Sequence, residues 1–253
     1  MIDLTQIARH VMQTQPYAWA EVGNLYSPTD AAALADSFPC DHFKTVVGSD
    51  GEKNYEYESR ELIAMGANAI SHPEQLSEAW LSLACDLLSQ AYRRAMSSLT
   101  GCDLSIVPME VNVFHYGPGA CLGPHADLTD KIVTHVLYFN RSWNGDDGGC
   151  LTILRSADAK HIAAQIAPLV GNSAVLVRSE KSWHAVSRVV NGCLESRRSL
   201  TATFYRPNSI STMWPPGDAT PLHRYDAADP ESKTRRQMNL WTRWRHRLAI
   251  PRR

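Results

Sequence analysis

The sequence lacks paired cysteine motifs and long apolar runs. Its six cysteines are widely spaced and no two form a C-x-x-C pair, which argues against a structural zinc site and against a disulfide framework. We therefore expect a reducing, cytoplasmic setting. No apolar run approaches the length of a membrane-spanning helix, and the opening residues lack the apolar core of a signal peptide, so we expect no membrane partner.

The chain also lacks an excess of charge of either sign. The net charge is −1, so there is no general attraction to nucleic acid. With 253 residues and 44% hydrophobic content, the sequence predicts a single domain over 1–253 with a substantial core. We expect the core at about 105–210, a supporting region at 1–104 and an extension with a basic tail at 211–253. The oligomeric state stays open, and a homodimer is one alternative.

Local patterns predict helices in the first hundred residues and strands after them. Ser27-Pro28 is typical of a helix start and Gly101 of a helix stop, which predicts helices at 28–37 and about 73–99. Apolar runs predict strands at 17–22, 43–47, 55–57, 108–116, 131–139, 149–154, 173–178 and 197–205, and a further helix is predicted at 159–166. So many strands with uneven connections indicate a mainly β, α+β jelly roll (a double-stranded β-helix) with flanking N-terminal helices.

The most informative stretch runs from Tyr116 to Asp127 and reads Y-G-P-G-A-C-L-G-P-H-A-D. It leaves an apolar strand through a Gly- and Pro-rich turn and places His125 and Asp127 two residues apart, so both side chains share one face of an extended chain. His184, which follows the apolar strand 174–177, is the candidate third ligand. Two histidines and one carboxylate are the ligands of non-haem Fe(II), with the other metal positions open.

A second polar pattern lies on the strand predicted at 197–205. Arg197 and Ser199 share a face of this strand, whereas Arg198 points the other way. An arginine inside a β-barrel needs an anionic partner, because burial of an unpaired guanidinium is costly. The pattern therefore predicts an anion site, with a structural ion pair as the alternative.

The ordered set of H-x-D, a distant His and R-x-S resembles the Fe(II)/2-oxoglutarate-dependent oxygenases, over roughly residues 108–207. The resemblance implies that Arg197 and Ser199, helped by Tyr116, bind the distal carboxylate of 2-oxoglutarate. It also implies that 2-oxoglutarate and O2 fill the open metal positions, and that succinate and CO2 form while an unactivated C–H bond is hydroxylated. Related halogenases have Gly or Ala at the position of Asp127, so this carboxylate predicts hydroxylation.

Within that superfamily, E-V-N-V-F-H-Y-G-P-G, D-K-I-V-T-H-V-L-Y-F-N and S-T-M-W-P-P-G-D resemble the carrier-independent oxygenases and halogenases of free amino acids. Glu110 and Asn112 share a strand face with Tyr116, and an inward carboxylate suits a substrate ammonium. The remaining candidates for the substrate site are Arg60 for a substrate carboxylate, Trp214 at the mouth, and Leu122 and Leu128 beside the metal ligands. The two leucines favour an aliphatic amino acid such as leucine, with lysine and ornithine left open.

Other interpretations stay open at this point. Capping, packing or surface roles are the alternatives for these side chains, and for Glu110 the alternative is an ion pair with a protein arginine. A second sequence of H-x-E type, His72-Pro73-Glu74, lies where a helix is predicted to begin. Prolyl-type hydroxylation of a peptide is the main alternative activity. Repair of alkylated nucleic acid is disfavoured by Thr203, which stands where that family has a second arginine, and a cupin-like binding module without catalysis is the last alternative.

Overall fold

A computed structural model describes residues 1–50 and 53–225, leaving aside the side chains of 49, 50, 53 and 54. The helices are α1 (Leu4–Arg9), α2 (Pro28–Asp36), α3 (Glu78–Leu88) and α4 (Gln90–Thr100). The strands are β1 (Trp19–Val22), β2 (Lys44–Asp50), β3 (Lys53–Ile63), β4 (Met109–Tyr116), β5 (Cys121–His125), β6 (Lys131–Tyr138), β7 (Leu151–Leu154), β8 (Ile162–Ile166), β9 (Ser173–Val177), β10 (His184–Val186) and β11 (Arg197–Tyr205). The basic tail expected after residue 232 lies outside the described residues.

The eleven strands form one antiparallel sheet that curls into a jelly roll, as predicted. Their order is β1-β9-β6-β11-β4-β3-β5-β10-β7-β8, with β2 paired to the free side of β3. Strand β3 joins the two halves, because it pairs with β4 through Arg60 and with β5 through Tyr55. The N-terminal strands therefore complete the same sheet that the C-terminal part builds.

The helices cover one face of the sheet, and their side chains pack against it. Trp80 of α3 is fully buried, and its ring centroid lies 4.7 Å from that of Phe139. Tyr92 of α4 is also buried, and its hydroxyl lies 2.9 Å from Nδ1 of His135 on β6. The other face of the sheet, here called the inner face, carries a second apolar cluster, and we call the space that it surrounds the chamber. Within the described residues, each helix is too short or too polar to cross a membrane.

The helix ends follow local capping chemistry. Ser27 caps α2 as predicted, because its Oγ accepts a hydrogen bond of 3.1 Å from the Asp30 amide. The predicted helix at 73–99 is divided in two, since Ser89 ends α3 and its Oγ caps the first turn of α4. Gly101 ends α4 with a φ of 72°, in the left-handed region that glycine favours.

The helix predicted at 159–166 is wrong. Residues 162–166 form strand β8, which pairs with β7 from Ile166 opposite Leu151 to Ile162 opposite Leu154. The apolar spacing in this segment fits either a helix or a strand. The segment forms a strand because it can make hydrogen bonds with the edge of β7. This is a tertiary effect that the local sequence does not contain.

Candidate active site

His125, Asp127 and His184 converge at one point of the chamber. His184 opens β10 and pairs with His125 on β5, so the strand ladder brings the two rings to a centroid separation of 4.3 Å. Asp127 follows on the loop after β5. One ligand atom from each of the three residues lies within 4.8 Å of the other two. Two imidazoles and a carboxylate at this spacing suit a divalent transition metal.

Each of the two histidines is fixed by a carbonyl group of its own segment. Nδ1 of His125 lies 2.9 Å from the carbonyl oxygen of Gly123, and Nδ1 of His184 lies 2.9 Å from that of Ser182. A carbonyl oxygen only accepts, so each Nδ1 carries the hydrogen and each Nε2 keeps the lone pair. A fixed tautomer and ring orientation is what a metal-ligating histidine needs. The donor set therefore fits a metal.

Asp127 is buried and both of its oxygens accept hydrogen bonds. Oδ1 accepts from Nζ of Lys131 at 2.7 Å, and Oδ2 accepts from the hydroxyl of Thr134 at 2.9 Å. Burial alone would raise the pKa of Asp127, but the positive charge of Lys131 and its hydrogen bond hold the pKa well below its ordinary value. The carboxyl group is thus ionised and oriented, as a metal ligand must be.

Arg197 is a buried cation without a carboxylate partner among the described residues. It is 2% exposed, and its Nη1 donates to the Ser199 hydroxyl at 2.6 Å. Its guanidinium carbon lies 4.8 Å from the ring centroid of Tyr116, and its Nε has no described hydrogen-bond partner. The structural ion pair considered above is therefore absent from the described chain. A buried guanidinium in this state fits an anion supplied by a ligand.

Tyr138 is a member of this group that the sequence did not reveal. It is fully buried and lies opposite Ser199 in the ladder, and its ring centroid is 5.3 Å from the Arg197 guanidinium carbon. Burial raises the pKa of the Tyr138 hydroxyl, and burial likewise raises the pKa of Tyr116 to about 12, so both remain neutral. Alternation along β6 places Tyr138 on the inner face, but it does not tell which strand lies beside β6.

Glu110 and Asn112 lie on the inner face of β4, and the segment after β11 covers them. Glu110 is 1% exposed and accepts hydrogen bonds from the hydroxyls of Ser211 at 2.5 Å and Tyr205 at 3.2 Å. Nε1 of Trp214 donates to Oδ1 of Asn112 at 2.7 Å. Burial raises the pKa of Glu110, while its hydrogen bonds act in the opposite direction. No described arginine pairs with Glu110.

The structure does not bring Arg60 to the chamber, which corrects its assignment to a substrate carboxylate. Arg60 is opposite Val113 in the ladder, on the face of the sheet that the helices cover. It is fully buried there, with its Nε 3.6 Å from Oδ1 of Asp41. Its two terminal nitrogens donate to the carbonyl oxygens of Glu61 and His72. These groups use the guanidinium on the side away from the metal ligands.

The remaining candidates differ in their surroundings. Leu122 is half-buried on β5 opposite Val186 and packs against the inner apolar cluster. Leu128 is 49% exposed, so it contributes less to the chamber wall. The side chains of His72 and Glu74 are 46% and 63% exposed and lie 3.7 Å apart at the surface. The H-x-E sequence is therefore a surface pair.

Comparison with known proteins agrees with this geometry. Residues 111–206 match the family model of the 2OG-Fe(II) oxygenase superfamily. That segment contains the three metal-ligand candidates as well as Arg197 and Ser199. No curated protein matches the sequence.

Several solved structures share the fold. A prolyl-4-hydroxylase of Pseudomonas putida is 22% identical with a TM-score of 0.53, and the match covers 80% of this chain and 96% of that chain. An oxidoreductase of the 2OG-Fe(II) oxygenase family from Burkholderia pseudomallei is 16% identical with a TM-score of 0.53, over 81% and 92% of the two chains. A prolyl hydroxylase of Trichoplax adhaerens, in complex with a hypoxia inducible factor peptide fragment, is 15% identical with a TM-score of 0.52, over 80% and 88%. Residues 111–206 thus match the model of the 2OG-Fe(II) oxygenase superfamily, a family of enzymes that use Fe(II), 2-oxoglutarate and O2, and most of the chain shares its fold with these solved structures.

Proposed function

We propose that the protein hydroxylates an unactivated C–H bond of a free amino acid, with an aliphatic substrate such as leucine or, alternatively, lysine or ornithine. The observation that carries this proposal is the environment of Glu110. It is a buried carboxylate that accepts two hydroxyl hydrogen bonds and forms no ion pair with a described residue. A buried carboxylate in a ligand chamber suits the ammonium group of a small zwitterion.

Glu110 stands level with the proposed metal ligands. Glu110, Thr203 and Thr134 are opposite one another on β4, β11 and β6, and the Thr134 hydroxyl donates to Asp127. Arg197 and Tyr116 are opposite one another nearer the other end of β11 and β4, six residues from Thr203 and Glu110. An ammonium bound at Glu110 would therefore lie beside the metal, away from the guanidinium that holds the co-substrate.

We assign the metal ligands to His125, Asp127 and His184, which fit Fe(II) by donor type and spacing. When bound with 2-oxoglutarate and O2, the iron supplies the oxidant for an unactivated C–H bond, and succinate and CO2 are released. The presence of Asp127 as a third protein ligand supports hydroxylation over halogenation. Lys131 and Thr134 keep its carboxylate ionised and oriented.

We assign the distal carboxylate of 2-oxoglutarate to Arg197, Ser199, Tyr116 and Tyr138. A dicarboxylate supplies the counter-charge that the buried guanidinium lacks among the described residues. The two neutral phenol rings on either side limit access of water, which strengthens the ion pair. The activity is proposed for a single domain, since β1, β2 and β3 belong to the same sheet as the core strands.

Prolyl-type hydroxylation of a peptide is the second candidate. The similarity of the fold to two prolyl hydroxylases favours it. The segment after β11 opposes it, because Ser211 and Trp214 bond directly to Glu110 and Asn112 and cover that side of the chamber. A peptide would need an open groove there.

Incubation of the protein with Fe(II), 2-oxoglutarate and each of the twenty amino acids plus ornithine tests the proposal. We expect one free amino acid to gain one oxygen atom by mass, with an equal amount of succinate. Glu110→Gln should raise the KM for that amino acid, whereas Glu74→Gln, with its side chain 63% exposed at the surface, should not. Oxygen transfer to prolyl peptides alone would contradict the proposal and support the second candidate.

A further inference from the structure

Tyr17 carries a buried hydroxyl that lacks a partner. The residue is 5% exposed, and its Oη makes no hydrogen bond with any residue in the described part of the chain. A hydroxyl removed from water without a replacement hydrogen bond is costly, and few native polar groups remain in that state. Tyr17 also packs in the inner apolar cluster, where a bound ligand can supply the missing hydrogen-bond partner.

The strand register places Tyr17 at the chamber. Trp19 of β1 lies opposite Leu176 of β9, and Leu176 lies opposite Thr134 of β6, whose hydroxyl binds the proposed metal ligand Asp127. Tyr17 lies in the bend that leads into β1, two residues before Trp19. It also belongs to the inner apolar cluster that contains Tyr138 and Phe114.

Tyr17 lies on the side of the metal ligands away from the co-substrate. Along β6 the chain runs from Thr134 towards Tyr138 and the Arg197 guanidinium. On β1 the same direction runs from Trp19 to Glu21, because Glu21 and Ala174 are opposite one another. Ala18, the neighbour of Tyr17, lies in the opposite direction, because its carbonyl oxygen accepts a hydrogen bond of 3.0 Å from the Val177 amide. The Tyr17 hydroxyl is therefore positioned for the substrate and not for 2-oxoglutarate.

Tyr17 stays a neutral phenol under ordinary conditions. Burial, and to a smaller extent the negative charge of Asp127, raise the pKa of Tyr17 above its usual value. A neutral phenol both donates and accepts, so it can bind an ammonium, a carboxylate, an amide or a hydroxyl.

We propose that Tyr17 binds a polar group at the end of the substrate that is remote from Glu110. This inference rests on the proposed function and narrows it. Glu110 lies on β4 and Tyr17 in the bend before β1, and β9, β6 and β11 lie between these strands in the sheet order. An ammonium held at Glu110 therefore leaves the Tyr17 hydroxyl to a different polar group of the substrate. The substrate class is then an amino acid with a hydrogen-bonding group at the end of its side chain.

Tyr17→Phe removes only the hydroxyl, and Tyr26→Phe is its matched control. Tyr26 also has a buried hydroxyl without a described partner, but it packs in the outer cluster under the helices. Anaerobic calorimetry on protein loaded with Fe(II) and 2-oxoglutarate gives the amino acid Kd for both variants. We expect Tyr17→Phe to raise the Kd for an amino acid with a terminal amine about tenfold. Its Kd for the straight-chain analogue without that group, and all values for Tyr26→Phe, should stay unchanged.

An unchanged Kd in Tyr17→Phe would overturn the inference, as would equal weakening for both ligands or by both variants. Ligand binding by the wild-type protein tests the proposed function separately. If the wild type binds prolyl peptides and no amino acid, the free amino acid assignment fails, and the claim of a terminal polar group fails with it. The binding role of Tyr17 is then decided by the peptide Kd of the same two variants. A wild type that binds neither ligand overturns both proposals.

Discussion

Replacement of Arg197 by methionine should raise the 2-oxoglutarate concentration needed for turnover roughly ten- to hundredfold. The guanidinium is 2% exposed, so its hydrogen bonds to a bound carboxylate would be made in a site shielded from water. Hydrogen bonds to charged groups contribute about 1.5–3 kcal/mol, and about 1.4 kcal/mol corresponds to a factor of ten in affinity. Methionine keeps much of the volume against Tyr116 and Tyr138 but removes the charge.

Arg198→Met is the matched control for this experiment. Arg198 lies on the other face of β11, where its Nη1 donates to the Ala35 carbonyl at 3.3 Å and its guanidinium lies over the Phe38 ring. Succinate release against 2-oxoglutarate concentration gives the KM of each variant. Equal KM shifts for Arg197→Met and Arg198→Met would refute the assigned strand faces and the co-substrate site together.

Thermal unfolding provides a second readout of the same variant. A buried guanidinium without a described carboxylate partner disfavours folding until an anion binds, so Arg197→Met should not lower the Tm of the protein alone. Binding to the native state raises the Tm, and this increase with 2-oxoglutarate should be lost in Arg197→Met and kept in Arg198→Met. A large loss of Tm without ligand would mean that Arg197 has a structural role.

Three further predictions concern the proposed metal ligands and His135, which lies on the face of the sheet that the helices cover. His184→Ala should abolish Fe(II) retention measured by metal analysis after gel filtration, while His161→Ala, with its side chain 60% exposed, should retain the metal. Asp127→Gly should create a weak chloride site, because it leaves the Lys131 ammonium facing the vacated space; a metal spectrum that does not respond to chloride would contradict this. Burial lowers the pKa of His135 to about 3, so only the unfolded chain binds this proton between pH 6.5 and 3. Stability should therefore fall by about 1.4 kcal/mol per pH unit below 6.5, and His135→Gln should flatten the fall in the urea midpoint between about pH 7.5 and 5.

Alternation within one strand was predictable, and it accounts for much of the candidate site. Strand β11 runs from Arg197 to Tyr205 as predicted, and the separation of Arg197 from Arg198 follows from the period of two. The pairing between strands adds information that the alternation within one strand does not contain. Which face of β3 bears Arg60 depends on the pairing of β3 with β4, and this pairing joins residues that are distant in the sequence.

The two strands that carry the proposed metal-ligating histidines were not predictable from propensity. Strand β5 reads C-L-G-P-H, and both glycine and proline are disfavoured in strands. Strand β10 has only three residues, His184–Val186, yet it pairs with β5 on one side and β7 on the other. Hydrogen bonds from neighbouring strands impose the extended geometry here. The ligand spacing could be read from the sequence because it depends on residue type, whereas the strand context could not.

The groups that point most directly to ligands are those that lack a partner, and the sequence cannot identify them. Arg197 was expected to need an anion, but only the positions of its described neighbours show that no carboxylate among them supplies one. Tyr17 carries no local pattern that distinguishes it from Tyr26, and both have buried hydroxyls without described partners. Tyr17 packs in the cluster inside the chamber and Tyr26 in the cluster under the helices, so we infer a ligand only for Tyr17. A missing partner is a property of the whole surroundings, so it can be recognised only after the chain has folded.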